Sequence, residues 1–161
     1  EVILTPACEH TDGAIRQAHR LLESEPQTYY MPNQFENPNN ALAHYETTGP
    51  EILAQTAGLV DAVVAGMGTT GTLMGLRRFF DGKKPGVRVV GIEPPRGHAI
   101  QGLKNMTESM VPGIYDPAAL DEKMMIDDEE AFETTRLLAL REGVFVGMSS
   151  GAAVAGALRR A

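Results

Sequence analysis

The chain has 161 residues, 43% hydrophobic and 22% charged, a composition that suits one soluble globular domain with its own core. The formal net charge of −7, with no dense Lys/Arg run, excludes the electrostatic pattern of a nucleic-acid-binding protein or of one that binds an anionic membrane. No apolar run reaches membrane-spanning length, and the single cysteine, Cys8, excludes an internal disulfide and a multi-cysteine metal site. These features predict a cytoplasmic protein without a metal.

Short apolar runs alternate with amphipathic stretches along the chain. The predicted strands are residues 2–5, 28–31, 61–66, 87–94, 122–128 and 144–147. The predicted helices are residues 12–24, 41–57 with a break at Gly49-Pro50, 70–80, 127–141 and 149–160. Residues 95–120 form an irregular connection. This alternation predicts an α/β protein with a mainly parallel sheet.

The stretch "AGMGTTGTL" follows a predicted strand and opens a predicted helix. Gly66, Gly68 and Gly71 match the G-x-G-x-x-G pattern of a dinucleotide-binding turn, and Glu93 stands about 20 positions further on, where such sites carry an acid. A helix N-terminus reached through glycines binds anions in general, and threonines at the variable positions favour a single terminal phosphate. A tight turn that binds nothing is the remaining alternative.

The stretch "VFVGMSSGAA" repeats this arrangement of strand, glycine and helix start. Ser150 is predicted to be the N-cap of the last helix. Two such loops at the carboxyl edge of a parallel sheet face one crevice, where α/β folds bind ligands.

Six stretches resemble the cysteine synthases (O-acetylserine sulfhydrylases), most closely the B isoform, in order and spacing. They are "NQFENPNN", "AHYETTGPEI", "GMGTTGTLMG", "VVGIEP", "VPGIY" and "REGVFVGMSSGAAVAGAL". The resemblance implies a tryptophan-synthase-β-like α/β fold (fold type II), pyridoxal 5'-phosphate as cofactor, and a homodimer. By this likeness the chain is the C-terminal portion of a longer enzyme, as its two ends also suggest. Residues 1–32 would end a smaller N-terminal domain, and residues 33–161 would belong to the larger domain.

The resemblance also implies roles for single residues. The phosphate of the cofactor would be held by a loop of five residues: Gly68, Thr69, Thr70, Gly71 and Thr72. Ser149 would meet the pyridine nitrogen, and a neutral hydroxyl there favours β-elimination and β-replacement over transamination. Gln34 would lie near the substrate carboxylate, with Phe35 beside it. The implied reaction makes L-cysteine from O-acetylserine and a sulfur donor through aminoacrylate.

Two departures from the family pattern limit what this chain is expected to do. Its lysines, Lys83, Lys84, Lys104 and Lys123, do not match the family's Schiff-base lysine motif, so we expect the chain alone to be inactive. The B isoform carries an "RRW"-like stretch before "PGI", whereas this chain has "LKNMTESMVPGI". Sulfide is therefore the expected sulfur donor, and thiosulfate the alternative.

Other functions stay open at this point. A cystathionine β-synthase-like or serine/threonine dehydratase-like enzyme shares the cofactor and a similar glycine-rich loop. An NAD-binding oxidoreductase domain would use Glu93 on a ribose, and a non-catalytic module would bind neither cofactor. The four histidines lack metal-ligand spacing, and His44 is expected to make a structural hydrogen bond.

Overall fold

The computed structural model describes residues 2–161, which divide into two units, Glu1–Gln34 and Phe35–Ala161. The first unit contains a 3-10 turn (Ala7–Glu9) and the helix α1 (His10–Ser24). Arg16 and Glu9 form an ion pair that joins the turn to this helix. The sequence correctly predicts α1, which begins two residues earlier than its pattern indicates.

The second unit contains the remaining helices and strands. In chain order they are α2 (Asn39–Glu46), α3 (Thr48–Gln55), β1 (Ala62–Gly66), α4 (Gly71–Lys83), β2 (Arg88–Glu93), a 3-10 turn (Pro117–Ala119), β3 (Glu122–Met125), α5 (Asp128–Glu142) and α6 (Met148–Arg160). Asp127 caps α5 by accepting from Glu130 N at 2.9 Å, so the acidic start of this helix is confirmed. No helix within residues 2–161 is both long and apolar enough to cross a membrane.

The strands form a parallel sheet in the order β1-β2-β3, as an α/β fold requires. Neighbouring valines on β2 point to opposite faces, since side chains alternate along a strand. Val89 belongs to the cluster formed with α4, whereas Val90 belongs to the cluster formed with α5 and α6. The sheet is therefore covered by helices on both faces, and β1 and β2 are short apolar runs for that reason.

Helices α2 and α4 pack unusually close together. A Cβ at Gly75 of α4 would collide with the carbonyl oxygen of Ala41 on α2 and would lie 2.7 Å from Cβ of His44. One turn earlier, a Cβ at Gly71 would collide with the side chain of Asn40. The two glycines thus let the backbone of α2 approach the first turns of α4, where residues 71 and 75 lie on one face.

Three predicted strands do not form. Residues 2–5, 28–31 and 144–147 have no regular structure, and several of their apolar side chains are exposed, Phe145 at 95%. Within residues 2–161 the only ladders join β1 to β2 and β2 to β3, so these segments lack a neighbouring strand. A strand is stable only when its backbone groups are paired, whatever its apolar pattern.

The predicted break in the second helical stretch is also misplaced. The chain turns at Thr47, which separates α2 from α3, and Gly49 is already helical. Pro50 stands in the first turn of α3, as predicted, because the N–H that proline lacks has no intrahelical partner there.

The α2–α4 contact predicts opposite effects for two glycines of one helix. Gly75→Ala should lower the free energy of unfolding by about 1–3 kcal/mol, because the added methyl group meets a backbone carbonyl that cannot move freely. Gly82→Ala is the matched control: nothing lies within 4 Å of its Cβ position, and alanine should stabilise the helix by about 0.5–1 kcal/mol. Urea denaturation of both variants measures the difference; equal effects would contradict the close contact.

Candidate functional site

A cleft of about 390 Å³ opens at the carboxyl end of β1, within the range of small-molecule sites. Its walls come from four segments of the second unit: the end of β1, the loop into α4, residues 102–103, and the start of α6. Loop residues 102–104 are held against the sheet, since Lys104 N donates to Met67 O at 2.7 Å and Met67 N donates to Ile92 O at 2.8 Å. The cleft thus lies where the sequence predicts a crevice.

The structure brings all the residues of the expected cofactor site to this cleft. They are Gly68, Thr69, Thr70, Gly71, Thr72 and Ser149. The first five continue from β1 into α4, and the last belongs to the first turn of α6. Their role in binding a cofactor stays a prediction.

Two helices begin at the cleft wall. The first N–H groups of an α-helix have no intrahelical acceptor, and the helix dipole places partial positive charge there. At α6, Ser150 N and Gly151 N turn back to Gly147 O at 3.0 and 3.2 Å, so Gly147 is the N-cap. The prediction that Ser150 is the N-cap is therefore wrong: Ser150 lies inside the first turn of α6. The cleft favours an anionic ligand group.

Thr70 adopts a left-handed conformation, with φ of 67° and ψ of 0°. This backbone is disfavoured for a β-branched residue. The Thr70 side chain is buried, and its hydroxyl donates to the carbonyl oxygen of Thr69 at 2.6 Å. The turn therefore contains local strain, and strain of this kind is common at ligand sites.

The side chain of Ser149 is half-buried at the cleft wall. Its Oγ has no hydrogen-bond partner among the residues that the structure describes. It faces residue Gly102, whose Cβ position would lie 3.7 Å from this oxygen. The hydroxyl is thus available to a ligand.

Glu93, the acid that a dinucleotide site would use, is engaged elsewhere. Its carboxylate is 5% exposed, pairs with Lys123 at 2.7 Å and accepts from Met106 N at 2.6 Å. The hydrogen bond from Lys123 to this carboxylate raises the pKa of the lysine. Glu93 therefore anchors the irregular connection to β2 and does not line the cleft.

No lysine within the described chain lines the cleft; the lysines are Lys83, Lys84, Lys104 and Lys123. Lys104 is the nearest in sequence to a lining residue, and its Nζ lies 5.2 Å from the ring centroid of Phe35, within the range of a cation–π contact. The cleft thus offers donors to an anion but lacks the amine that a Schiff base needs.

The residues expected to contact the substrate, Gln34 and Phe35, belong to different units, and their role stays a prediction. Gln34 is exposed at the end of the first unit. Phe35, in the second unit, is half-buried, and its carbonyl oxygen accepts from Ile114 N at 3.3 Å. Asn105, in the stretch before "PGI", is buried and donates to Pro94 O at 2.8 Å, which gives it a structural role.

Two side chains of α2 support the glycine-rich loop; sequence reasoning missed Asn40 and expected a structural hydrogen bond from His44 without its partners. Asn40 of α2 donates from Nδ2 to Thr69 Oγ1 at 3.0 Å. His44 makes the expected hydrogen bonds, and they reach two threonines: Nδ1 lies 2.9 Å from Thr48 Oγ1 and Nε2 lies 3.1 Å from Thr72 Oγ1. No group of three or more His, Cys, Asp or Glu side chains that could hold a metal occurs in residues 2–161.

Comparison with known proteins identifies the family of this chain. The model of the family described as pyridoxal-phosphate dependent enzyme matches residues 1–161. Cysteine synthase B of Salmonella typhimurium is 44% identical over 159 residues, which cover 99% of this chain and 52% of that protein. The chain spans about half the length of the curated relatives it matches.

Two solved structures share the fold. The crystal structure of an O-ureido-L-serine synthase has a TM-score of 0.89 at 38% identity. The match covers 99% of this chain and 52% of the synthase chain. The cysteine synthase of Entamoeba histolytica has a TM-score of 0.88 at 34% identity, with coverage of 99% and 49%.

The left-handed turn predicts a difference between two variants of Thr70. Both Thr70→Gly and Thr70→Ala remove the hydroxyl, but only alanine keeps the Cβ that strains a positive φ. Thr70→Gly should therefore be more stable than Thr70→Ala by about 1 kcal/mol in urea denaturation. Equal stability, or a more stable alanine variant, would contradict the left-handed backbone.

Proposed function

Because this chain belongs to the family of pyridoxal-phosphate dependent enzymes, we propose that its cleft holds pyridoxal 5'-phosphate. The loop of residues 68–72 binds the phosphate through backbone N–H groups and hydroxyls, and Ser149 donates its hydroxyl proton to the pyridine nitrogen. The observation that carries this proposal is the meeting of two helix N-termini and a free serine hydroxyl in one cleft.

The residues present fit this group in shape as well as charge. A Cβ at Gly68 would lie 3.0 Å from Gly102 O, and a Cβ at Gly71 would collide with Asn40, so both glycines let the loop pack closely against its neighbours where it lines the cleft. A dinucleotide fits less well, since its ribose lacks an acceptor while Glu93 is paired with Lys123.

When bound, the cofactor supplies an electron sink for the bond-breaking steps at an amino acid. Ser149 restrains that sink, because a neutral hydroxyl leaves the ring nitrogen unprotonated, whereas a carboxylate would keep it protonated. This favours loss of a β-substituent and its replacement over transamination. The loop at the start of α4 would hold the phosphate and Ser149 at the start of α6 would meet the ring nitrogen, so the ring would lie between α4 and α6.

For the whole protein, we propose the activity of a cysteine synthase. O-acetylserine loses acetate as its Cβ–O bond breaks, and sulfide forms the new Cβ–S bond of L-cysteine. The support is the name of the relative that is 44% identical. Thiosulfate is an alternative donor. Residues 1–32 end a smaller domain, residues 33–161 belong to a larger one, and Gln34 and Phe35 lie near the substrate.

We further propose that the protein works as a cytoplasmic homodimer, as the resemblance implies. The proton-moving lysine is outside the 161 residues, because the cleft has no lysine of its own. The chain as it stands is then expected to bind a phosphate but not to turn over substrate.

A lysine outside the 161 residues predicts different activities for this chain alone and for this chain fused to an amino-terminal half. The 161-residue chain should produce no cysteine from O-acetylserine and sulfide. Fused behind the amino-terminal half of the Salmonella relative, it should bind pyridoxal 5'-phosphate, turn yellow, and shift its visible band when O-acetylserine is added.

The outcomes of that experiment separate the alternatives. Ser149→Asp in the fusion is the matched variant: it should keep the yellow colour and lose β-replacement, because the carboxylate protonates the ring nitrogen. A yellow fusion that ignores O-acetylserine but responds to serine or threonine would favour the cystathionine β-synthase-like or dehydratase-like function. Turnover by the 161 residues alone would contradict the proposed role of a lysine outside them.

A further inference from the structure

Two side chains of helix α2 contact the hydroxyls of the glycine-rich loop. Asn40 and His44 are one helical turn apart and so lie on the same face of α2, which packs against Gly71 and Gly75 of α4. Neither residue lines the cleft, but each lies within hydrogen-bond distance of a threonine that does. What these contacts do depends on where the hydroxyl protons point.

The hydroxyl proton of Thr69 is free to donate to a ligand in the cleft, because its oxygen accepts a hydrogen bond from Asn40. The side-chain amide of Asn40 donates to Thr69 Oγ1 at 3.0 Å, and Gly71 N approaches the same oxygen at 3.5 Å. The orientation of the amide is consistent with its surroundings, because its Oδ1 faces Gly71 at the electropositive start of α4. An oxygen that accepts from Asn40 keeps its own proton free, since a hydroxyl has one proton and two lone pairs.

At Thr72 the same result follows from the chain of contacts through His44. The Thr48 hydroxyl lies 2.9 Å from Nδ1 of His44. The distance alone leaves the direction open, but this hydroxyl has no other acceptor among the described residues, so its proton is satisfied only by donation to Nδ1. A neutral imidazole that accepts at Nδ1 carries its proton on Nε2. Nε2–H then donates to Thr72 Oγ1 over 3.1 Å, and the Thr72 proton is left for the cleft.

Thr70 differs from both of these threonines. Its hydroxyl donates to Thr69 O at 2.6 Å, so its proton is already used inside the turn. The three threonines of the loop are therefore not equivalent, although the sequence gives no reason to separate them.

We propose that Asn40 and His44 are positioning residues that turn the hydroxyl protons of Thr69 and Thr72 into the cleft. His44 is held in its Nε2–H tautomer, and the donors in the series Thr48, His44 and Thr72 all point toward the ligand, an arrangement in which each bond strengthens the next. The inference rests on the proposed phosphate site for its ligand, but the tautomer is a property of the free protein.

The first test is the tautomer itself. Long-range proton–nitrogen correlation spectra of the 161-residue chain, at a pH where imidazoles are neutral, distinguish the protonated ring nitrogen from the bare one. The His44 signals are identified by their loss in His44→Gln. We expect the proton on Nε2; a proton on Nδ1 would overturn the proposal, whatever the ligand.

The second test uses inorganic phosphate as the probe and two variants that carry the same side-chain amide at different distances from the backbone. His44→Gln places an amide N–H near the position of Nε2, whereas the shorter side chain of His44→Asn reaches Thr48 but not Thr72. Calorimetric titration should show phosphate binding within about threefold of wild type for His44→Gln and about tenfold weaker for His44→Asn, the effect of one lost hydrogen bond. Urea denaturation and amide spectra check that both variants are folded.

The outcomes distinguish this inference from the proposed function. Phosphate binding by the wild type with equal losses in both variants would overturn the positioning role and leave the phosphate site in place. An Nε2–H tautomer without any binding of phosphate would support the hydroxyl orientation and contradict the phosphate site.

Discussion

The contact between α2 and α4 is the constraint on which the rest of the site depends. Gly75 allows the carbonyl oxygen of Ala41 to approach α4 to a distance that no side chain would permit, and Gly71 does the same for Asn40. The aromatic pair Tyr45 and Phe79, with ring centroids 6.0 Å apart, extends this contact away from the cleft. Because the contact at Gly75 is with a backbone carbonyl, it holds the first turns of α4, and with them the loop from β1, more firmly than flexible side chains could.

The opposite wall of the cleft is built on the same physical basis. A Cβ at Gly151 of α6 would collide with Thr135 and with the carbonyl oxygen of Ala131 on α5, and one at Gly156 would collide with Ile92 of β2. Small residues therefore bring α6 close to the sheet, and its N-terminus is held beside that of α4. Each helix end adds partial positive charge to the cleft, which favours a ligand with an anionic group or a hydrogen-bond acceptor.

The sequence predicts those parts of the structure whose causes are local. The valines of β1 and β2, the acidic start of α5 and the glycine-rich turn are all recognisable from neighbouring residues. The assignment of residues 68–72 and Ser149 to one site comes instead from family resemblance. The segment 144–147 has an equally good strand pattern, but a strand also needs a partner, and no local pattern supplies one. Asn40 was missed for a related reason: it acts on Thr69, 29 residues away, through helix packing.

The segment 144–147 also determines how this chain behaves in solution. Phe145 is 95% exposed, and β1 has a neighbouring strand on one side only within the described residues. An uncovered aromatic side chain and an open sheet edge are both templates for pairing with a second molecule. The net charge of −7 opposes such pairing by mutual repulsion, and salt weakens that repulsion. Higher ionic strength and higher protein concentration should therefore both lower the colloidal stability of the isolated chain.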